Sequence, residues 1–240
     1  MYKTISEADD FVKQFVPLVK DVTDVDKLIA PPFTSLNAVA TAAAGSGIIV
    51  AAQDVFYEEQ GAFTGEISPG MIKDAGGTFV IIGHSERRQY FHETDSIVNK
   101  KSKAALRAGL GVVLCIGETL EERNTNRTFD VVKRQIAEGL AEFCEAEFKD
   151  TVIAYEPVWA IGTGVTATPE QAEEAHGFIR SIIKEIYGDL ADEMRILYGG
   201  SVKPENVDEI MASPNVDGAL VGGASLDPQV FSKLVKFRRG

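Results

Sequence analysis

Two rhythms of apolar residues alternate along this chain. Short unbroken apolar runs read as strands, and longer segments with apolar residues at every third or fourth position read as helices. The first helical segment opens at Ser6 and turns Phe11, Phe15 and Val19 to one face. A strand at 26–30 ends at Pro31-Pro32, and an Ala-rich helix at 35–44 closes on Gly45. Strands follow at 48–53, 78–83, 111–117 and 151–155, separated by helical patterns at 69–75, 95–108 and, as one long element, 129–148. From Asp54 to Gly65 runs a long connection with no rhythm of its own, carrying Phe56, Tyr57 and Phe63. Connections of that length are usually functional or disordered.

The helix after residue 167 is the best specified. Thr168 suits the N-cap, Pro169 the first helical position, and Gln171 completes a capping box. Ala172, Ala175, Ile179, Ile182, Ile183 and Ile186 then recur on one face until Gly188 ends the run. The last two strands, at 195–200 and 217–223, each lead into a further helical pattern. Strands without polar alternation are buried on both faces, which predicts a parallel sheet covered by helices. No linker, charge block or low-complexity tract divides 1–240, so one domain is expected. Seven strand–helix units fit either a doubly wound sheet or an eight-fold barrel short by one strand.

Composition narrows the function classes. A net charge of −12 argues against nonspecific binding to nucleic acid or anionic membrane, yet leaves room for a small anion held by backbone N–H groups. Two cysteines, Cys115 and Cys144, make no disulfide framework. The first residues carry no apolar signal core, and no run of 18 apolar residues occurs, so a soluble cytoplasmic protein is expected.

Candidate chemistry gathers after the strands. Glu156 follows the strand at 151–155, and Pro157 turns the chain out of the sheet. Val158, Trp159, Ala160 and Ile161, then Gly162 and Gly164, make a loop able to fold over a pocket before the helix at Thr168. Gly162-Thr-Gly-Val-Thr-Ala167 matches a loose dinucleotide pattern, but five residues separate it from Glu156 and no ribose-binding acid follows. His84 lies just past the strand at 78–83, in Gly-His-Ser-Glu-Arg-Arg. Read alone it is a backbone-satisfied loop histidine, a catalytic group, or with Glu86 and His92 a metal ligand. Neighbouring side chains diverge, so His84 and Ser85 form no nucleophilic pair. Gly199-Gly-Ser-Val-Lys and Leu220-Val-Gly-Gly-Ala-Ser follow the last two strands, where phosphate often binds in barrels; read alone each Gly-Gly is a tight turn.

Taken together, Ala-Tyr-Glu156-Pro-Val-Trp-Ala-Ile-Gly-Thr-Gly, Gly-His84-Ser-Glu-Arg-Arg and the two Gly-Gly segments resemble the triosephosphate isomerase family, and the resemblance runs end to end. That family is itself a standard example of a Glu base, a neutral His and a closing loop. The resemblance implies a (β/α)8 TIM barrel and interconversion of glyceraldehyde 3-phosphate and dihydroxyacetone phosphate, in glycolysis and gluconeogenesis, with no cofactor and no metal. It makes Glu156 the base, His84 the neutral electrophile and Glu86 a second acidic residue of the catalytic set. Gly162, Ser201, Gly222 and Gly223 become the phosphate site, with Ile161 and Leu220 as an apolar clamp. Residues 54–65 become an interdigitating dimer loop with Thr64 near its tip, hence a homodimer. Family members carry a first strand and a Gly-Asn-Trp-Lys-Met segment, and Met1 matches its final Met. The first strand and the active-site Asn and Lys are therefore expected to be missing from the chain, through truncation or a misplaced start. The alternative is a phosphate-binding barrel that is catalytically impaired for want of that Lys and Asn. Val165 stands at the far hinge of the loop where many relatives have Lys.

Overall fold

The computed structural model describes residues 1–161 and 166–238. In chain order the elements are α1 (Ile5–Val19), β1 (Lys27–Ile29), α2 (Leu36–Ala42), β2 (Ile48–Ala52), α3 (Pro69–Asp74), β3 (Phe79–Ile82), α4 (Ser85–Phe91) and α5 (Asp95–Arg107). Then come β4 (Gly111–Ile116), α6 (Leu120–Asn124), α7 (Thr128–Gly139), α8 (Glu145–Lys149), β5 (Thr151–Tyr155), α9 (Pro169–Tyr187), β6 (Ile196–Tyr198), α10 (Val207–Met211), β7 (Gly218–Ala219) and α11 (Pro228–Val235). The strands form one parallel sheet in the order β1-β2-β3-β4-β5-β6-β7. Every strand thus pairs with its neighbour in sequence, the topology of a curling barrel and not of a doubly wound sheet, whose order reverses.

Apolar residues pack on both faces of this sheet. Successive side chains of a strand point to opposite faces, so Ile82, Leu114 and Ile153 meet the helices while Ile81, Val113 and Ala154 face inward. The inner cluster also takes Cys115 and is flanked by Leu28, Leu197 and Leu220. Outside, α1 buries Ala8, Phe11, Val12, Phe15 and Val19. The helix at Thr168 starts as its sequence dictates: Thr168 Oγ1 accepts from Gln171 N at 3.2 Å, and Gln171 Oε1 accepts from Thr168 N at 3.0 Å.

Two expectations need correction. The segment 129–148 is not one helix, because α7 ends at Gly139 and α8 begins only at Glu145. Between them Glu142 takes a left-handed φ of +61°, which no continuous helix permits. Ile186 does not join the buried stripe of α9; it is 46% exposed. Tyr187 takes the inward place at that turn, its ring 4.3 Å from that of Phe148 and its hydroxyl donating to Leu140 O.

Among the described residues no helix is long and apolar enough to cross a membrane.

Candidate active site

Parallel strands that follow one another around a barrel bring all their C-terminal ends to one rim. Glu156 directly follows β5, His84 lies two residues beyond β3, and Glu118 two beyond β4. Ser201 comes after β6, and Gly222 and Gly223 after β7. Chain positions far apart in sequence therefore share one rim.

The Glu156 side chain is 2% exposed, and three donors converge on it. Oε2 accepts from Ser85 N at 2.9 Å, and Oε1 accepts from Ser85 Oγ at 3.1 Å. His84 Nε2 lies 3.0 Å from Oε1. Ser85 is the first residue of α4, so its N–H is one of those a helix leaves without a partner inside itself, and a carboxylate is favoured there.

His84 caps α4, with Nδ1 accepting from Glu86 N at 3.3 Å. An acceptor nitrogen carries no proton, so the ring's hydrogen sits on Nε2 and points at Glu156. Burial pulls the His84 pKa down, but the hydrogen bond and charge of Glu156, with Glu86 behind them, outweigh it and leave the pKa above the ordinary value. The helix terminus thus holds the neutral tautomer while Glu156 favours the cation. Both ring nitrogens are engaged by protein groups. Glu86 itself projects outward with its side chain 69% exposed, its carboxylate 3.9 Å from Nδ1.

The backbone around Glu156 admits little else. A Cβ on Gly117 would lie 1.8 Å from Glu156 O, and one on Gly199 would lie 2.9 Å from Glu156 Cγ. These two glycines flank the acid because no larger residue fits beside it. Gly200 makes room likewise for the Tyr198 hydroxyl, at 2.2 Å. The buried Cys115 thiol also lies against the carboxylate; burial, then the charge of Glu156, pushes its pKa well up, so it stays a neutral thiol.

At the root of the loop after Glu156, residues Val158–Ala160 form a short 3-10 turn. Glu118, fully buried, accepts from Trp159 Nε1 at 2.9 Å, from the Tyr155 hydroxyl at 3.0 Å and from Arg123 Nη1 at 3.1 Å. Three donors make an otherwise costly buried carboxylate tenable. Glu118 and Gly117 were not singled out from sequence, while Ser85 was weighed there only as a nucleophilic partner of His84 and Gly199 only as part of a phosphate loop. Gly117 and Glu118 follow the apolar run that holds Cys115, an otherwise ordinary strand end.

The remaining expected site residues are distributed as follows. Ser201 is half-buried, and its carbonyl accepts from Asn206 Nδ2 at 3.1 Å. Gly222 and Gly223 are exposed at the start of the 3-10 turn Gly223–Leu226, with open space where a Cβ would stand. Leu220 is half-buried and packs against the inner cluster, and Ile161 is half-buried at the end of the loop root. Thr64 is exposed in the 54–65 connection, where Phe56 stacks on Tyr57 at 4.3 Å and meets Phe63 at 4.6 Å. Gly162 and Val165 lie outside the described residues.

Residues 1–238 match the family model described as triosephosphate isomerase. The chain is 56% identical over 239 residues to the triosephosphate isomerase of Trichlorobacter lovleyi, covering 99% of this chain and 95% of that protein. With that of Geobacter metallireducens the identity is 58%, at the same coverage. In structure it is similar to the crystal structure of triosephosphate isomerase from Bartonella henselae, with TM-score 0.89, 38% identity, and coverage of 98% of this chain and 93% of that one.

Proposed function

This chain belongs to the triosephosphate isomerase family, and from that premise we propose that it interconverts glyceraldehyde 3-phosphate and dihydroxyacetone phosphate with Glu156 as base and His84 as electrophile. The observation that carries this reading is the contact of His84 Nε2 with Glu156 Oε1 at 3.0 Å, while His84 Nδ1 is held by a backbone N–H. A base and a hydrogen-bond donor so arranged serve proton transfer beside a carbonyl.

The geometry supports a sequence of events. Glu156 is parked on Ser85, and it must leave those donors to reach a substrate carbon. Its departure removes from His84 the hydrogen bond and much of the charge that raise its pKa, and leaves the burial that lowers it. The ring then stays neutral, with Nε2–H free to donate to the substrate oxygen as negative charge develops there. Glu156 takes the proton from one carbon and returns it to the next, while the hydroxyl proton passes between the two substrate oxygens beside His84. Glu86 contributes its backbone N–H to the tautomer of His84. The phosphate is held by Ser201 and the N–H groups of Gly222 and Gly223, in the open space beside those glycines. Gly162 adds an N–H on loop closure, and Ile161 and Leu220 close over the acid. No cofactor enters this scheme.

The working form is a cytoplasmic homodimer. Its contact is the 54–65 loop, whose Phe63 is 42% exposed, with Thr64 near the tip.

Replacing Glu156 by Gln tests the reading. A positioned base accounts for about 10²- to 10⁴-fold in rate, so kcat should drop by that factor while KM changes only a few-fold. Near-normal turnover would defeat it. An inactive parent chain that phosphoglycolate still protects in thermal melts would point to the silent phosphate-binding barrel.

A further inference from the structure

We propose that Gln135 is a positioning residue for Glu156, acting through the backbone of Gly117. Gln135 lies on the buried stripe of α7 with Val131, Val132 and Ile136 and is 4% exposed. An amide buried among apolar residues is unfavourable unless both its ends are paired. Here both ends go to one residue: Gln135 Oε1 accepts from Gly117 N at 2.7 Å, and Gln135 Nε2 donates to Gly117 O at 3.1 Å. The peptide groups on either side of the Gly117 Cα are thereby fixed from outside the sheet.

Gly117 is the middle of three residues that cradle the turn at Glu156. Ile116 O accepts from Glu156 N at 2.7 Å, and Glu118 O accepts from Val158 N at 3.1 Å. Between them Gly117 makes the closest approach of any described glycine, its Cβ position 1.8 Å from Glu156 O. A shift of Gly117 must therefore shift the main chain of Glu156, and with it the carboxylate that His84 and Ser85 receive. Gln135 reaches none of the reacting atoms; it sets where the base starts. The inference rests on Glu156 being the base.

Two variants of the full chain test it, Gln135→Met and Gln135→Glu. The Met side chain keeps the volume and removes both bonds. Because misplacement of a base by an ångström costs up to about 100-fold, kcat per folded molecule should fall about 10- to 100-fold. KM and inhibition by phosphoglycolate should stay within about 3-fold, since the phosphate site lies beyond β6 and β7. Gln135→Glu keeps the acceptor for Gly117 N but sets a carboxylate against Gly117 O, and protonation restores the donor. Its kcat relative to the parent should therefore rise as pH falls. The idea is overturned if the folded variants keep kcat within 2-fold of the parent, or if phosphoglycolate affinity falls in proportion to kcat. It is also overturned if Gln135→Glu has the parent's pH profile. An inactive parent, or an active Glu156→Gln variant, would remove the isomerase reading and this inference with it. A silent Glu156→Gln beside normal Gln135 variants would remove the positioning role alone.

Discussion

At the scale of single residues, Glu156 and His84 were legible as candidate site residues and their surroundings were not. Glu156 and His84 stand in distinctive local sequences. The Ser85–Glu156 bonds join residues 71 positions apart, and nothing in either local pattern announces such a partnership. Gly199 read as a phosphate loop, yet its absent Cβ first of all leaves space for Glu156 Cγ. His176 shows a different kind of invisibility. Its place in the helical rhythm of α9 said nothing of its chemistry, but it is fully buried, with Nδ1 3.1 Å from Asn215 O and its ring edge-on to Tyr155. Burial, partly offset by the Asn215 carbonyl, lowers its pKa from 6.5 to about 4. Below 6.5 the unfolded chain takes up a proton that the folded chain refuses until about pH 4. Stability is therefore fully present above the unfolded value and lost as pH falls through this window, by about 3 kcal/mol in all. Melting temperatures of the parent and His176→Asn from pH 7 to pH 4 check this. The variant should show the shallower decline, and identical slopes would contradict it.

At the scale of elements, the strands were the most legible because both their faces are buried, so their apolar runs are unbroken. The break between α7 and α8 was hidden because Leu140 and Phe143 continue an apolar pattern while the backbone turns away. The element next to Glu156 is the loop root after β5. Trp159, the only tryptophan in the chain, is tied to Glu118 beside the Arg123 guanidinium, 4.6 Å from its ring. Its emission therefore reports on this root without labelling. Phosphoglycolate should change that emission in the parent. In Glu118→Gln the bonds to Trp159, Tyr155 and Arg123 lose their charge assistance. The unliganded spectrum should shift and kcat fall several-fold; an unchanged spectrum and rate would show that the Glu118 charge does not restrain the root.

At the scale of the whole molecule, the alternation of elements predicted a parallel α/β architecture, and the choice of a barrel rested on family motifs because seven units fit two topologies. The assembly was less legible, since a loop's apolar load can be buried on its own chain or on another. The root of the 54–65 loop is fixed by an ionic quartet of buried Asp54, Glu93 and Lys101 with half-buried Arg87: Lys101 Nζ lies 2.6 Å from Asp54 and 2.5 Å from Glu93, and Arg87 bridges the same two acids at 2.8 and 2.6 Å. Arg87 belongs to α4, the helix that presents Ser85 to Glu156. A dimer built on that loop should sediment as such at micromolar concentration; monomer alone would remove the claim.

The strictly consecutive strand order has a consequence in time. Each strand docks on the one synthesised just before it, so the sheet can grow in step with the emerging chain, and no strand waits for a distant partner. Glu156 directly follows β5, but its bed is bounded by Gly117 behind β4 and by Gly199 behind β6. The nascent chain thus builds its scaffold from the first strands onward and completes the bed of Glu156 only once β6 has docked.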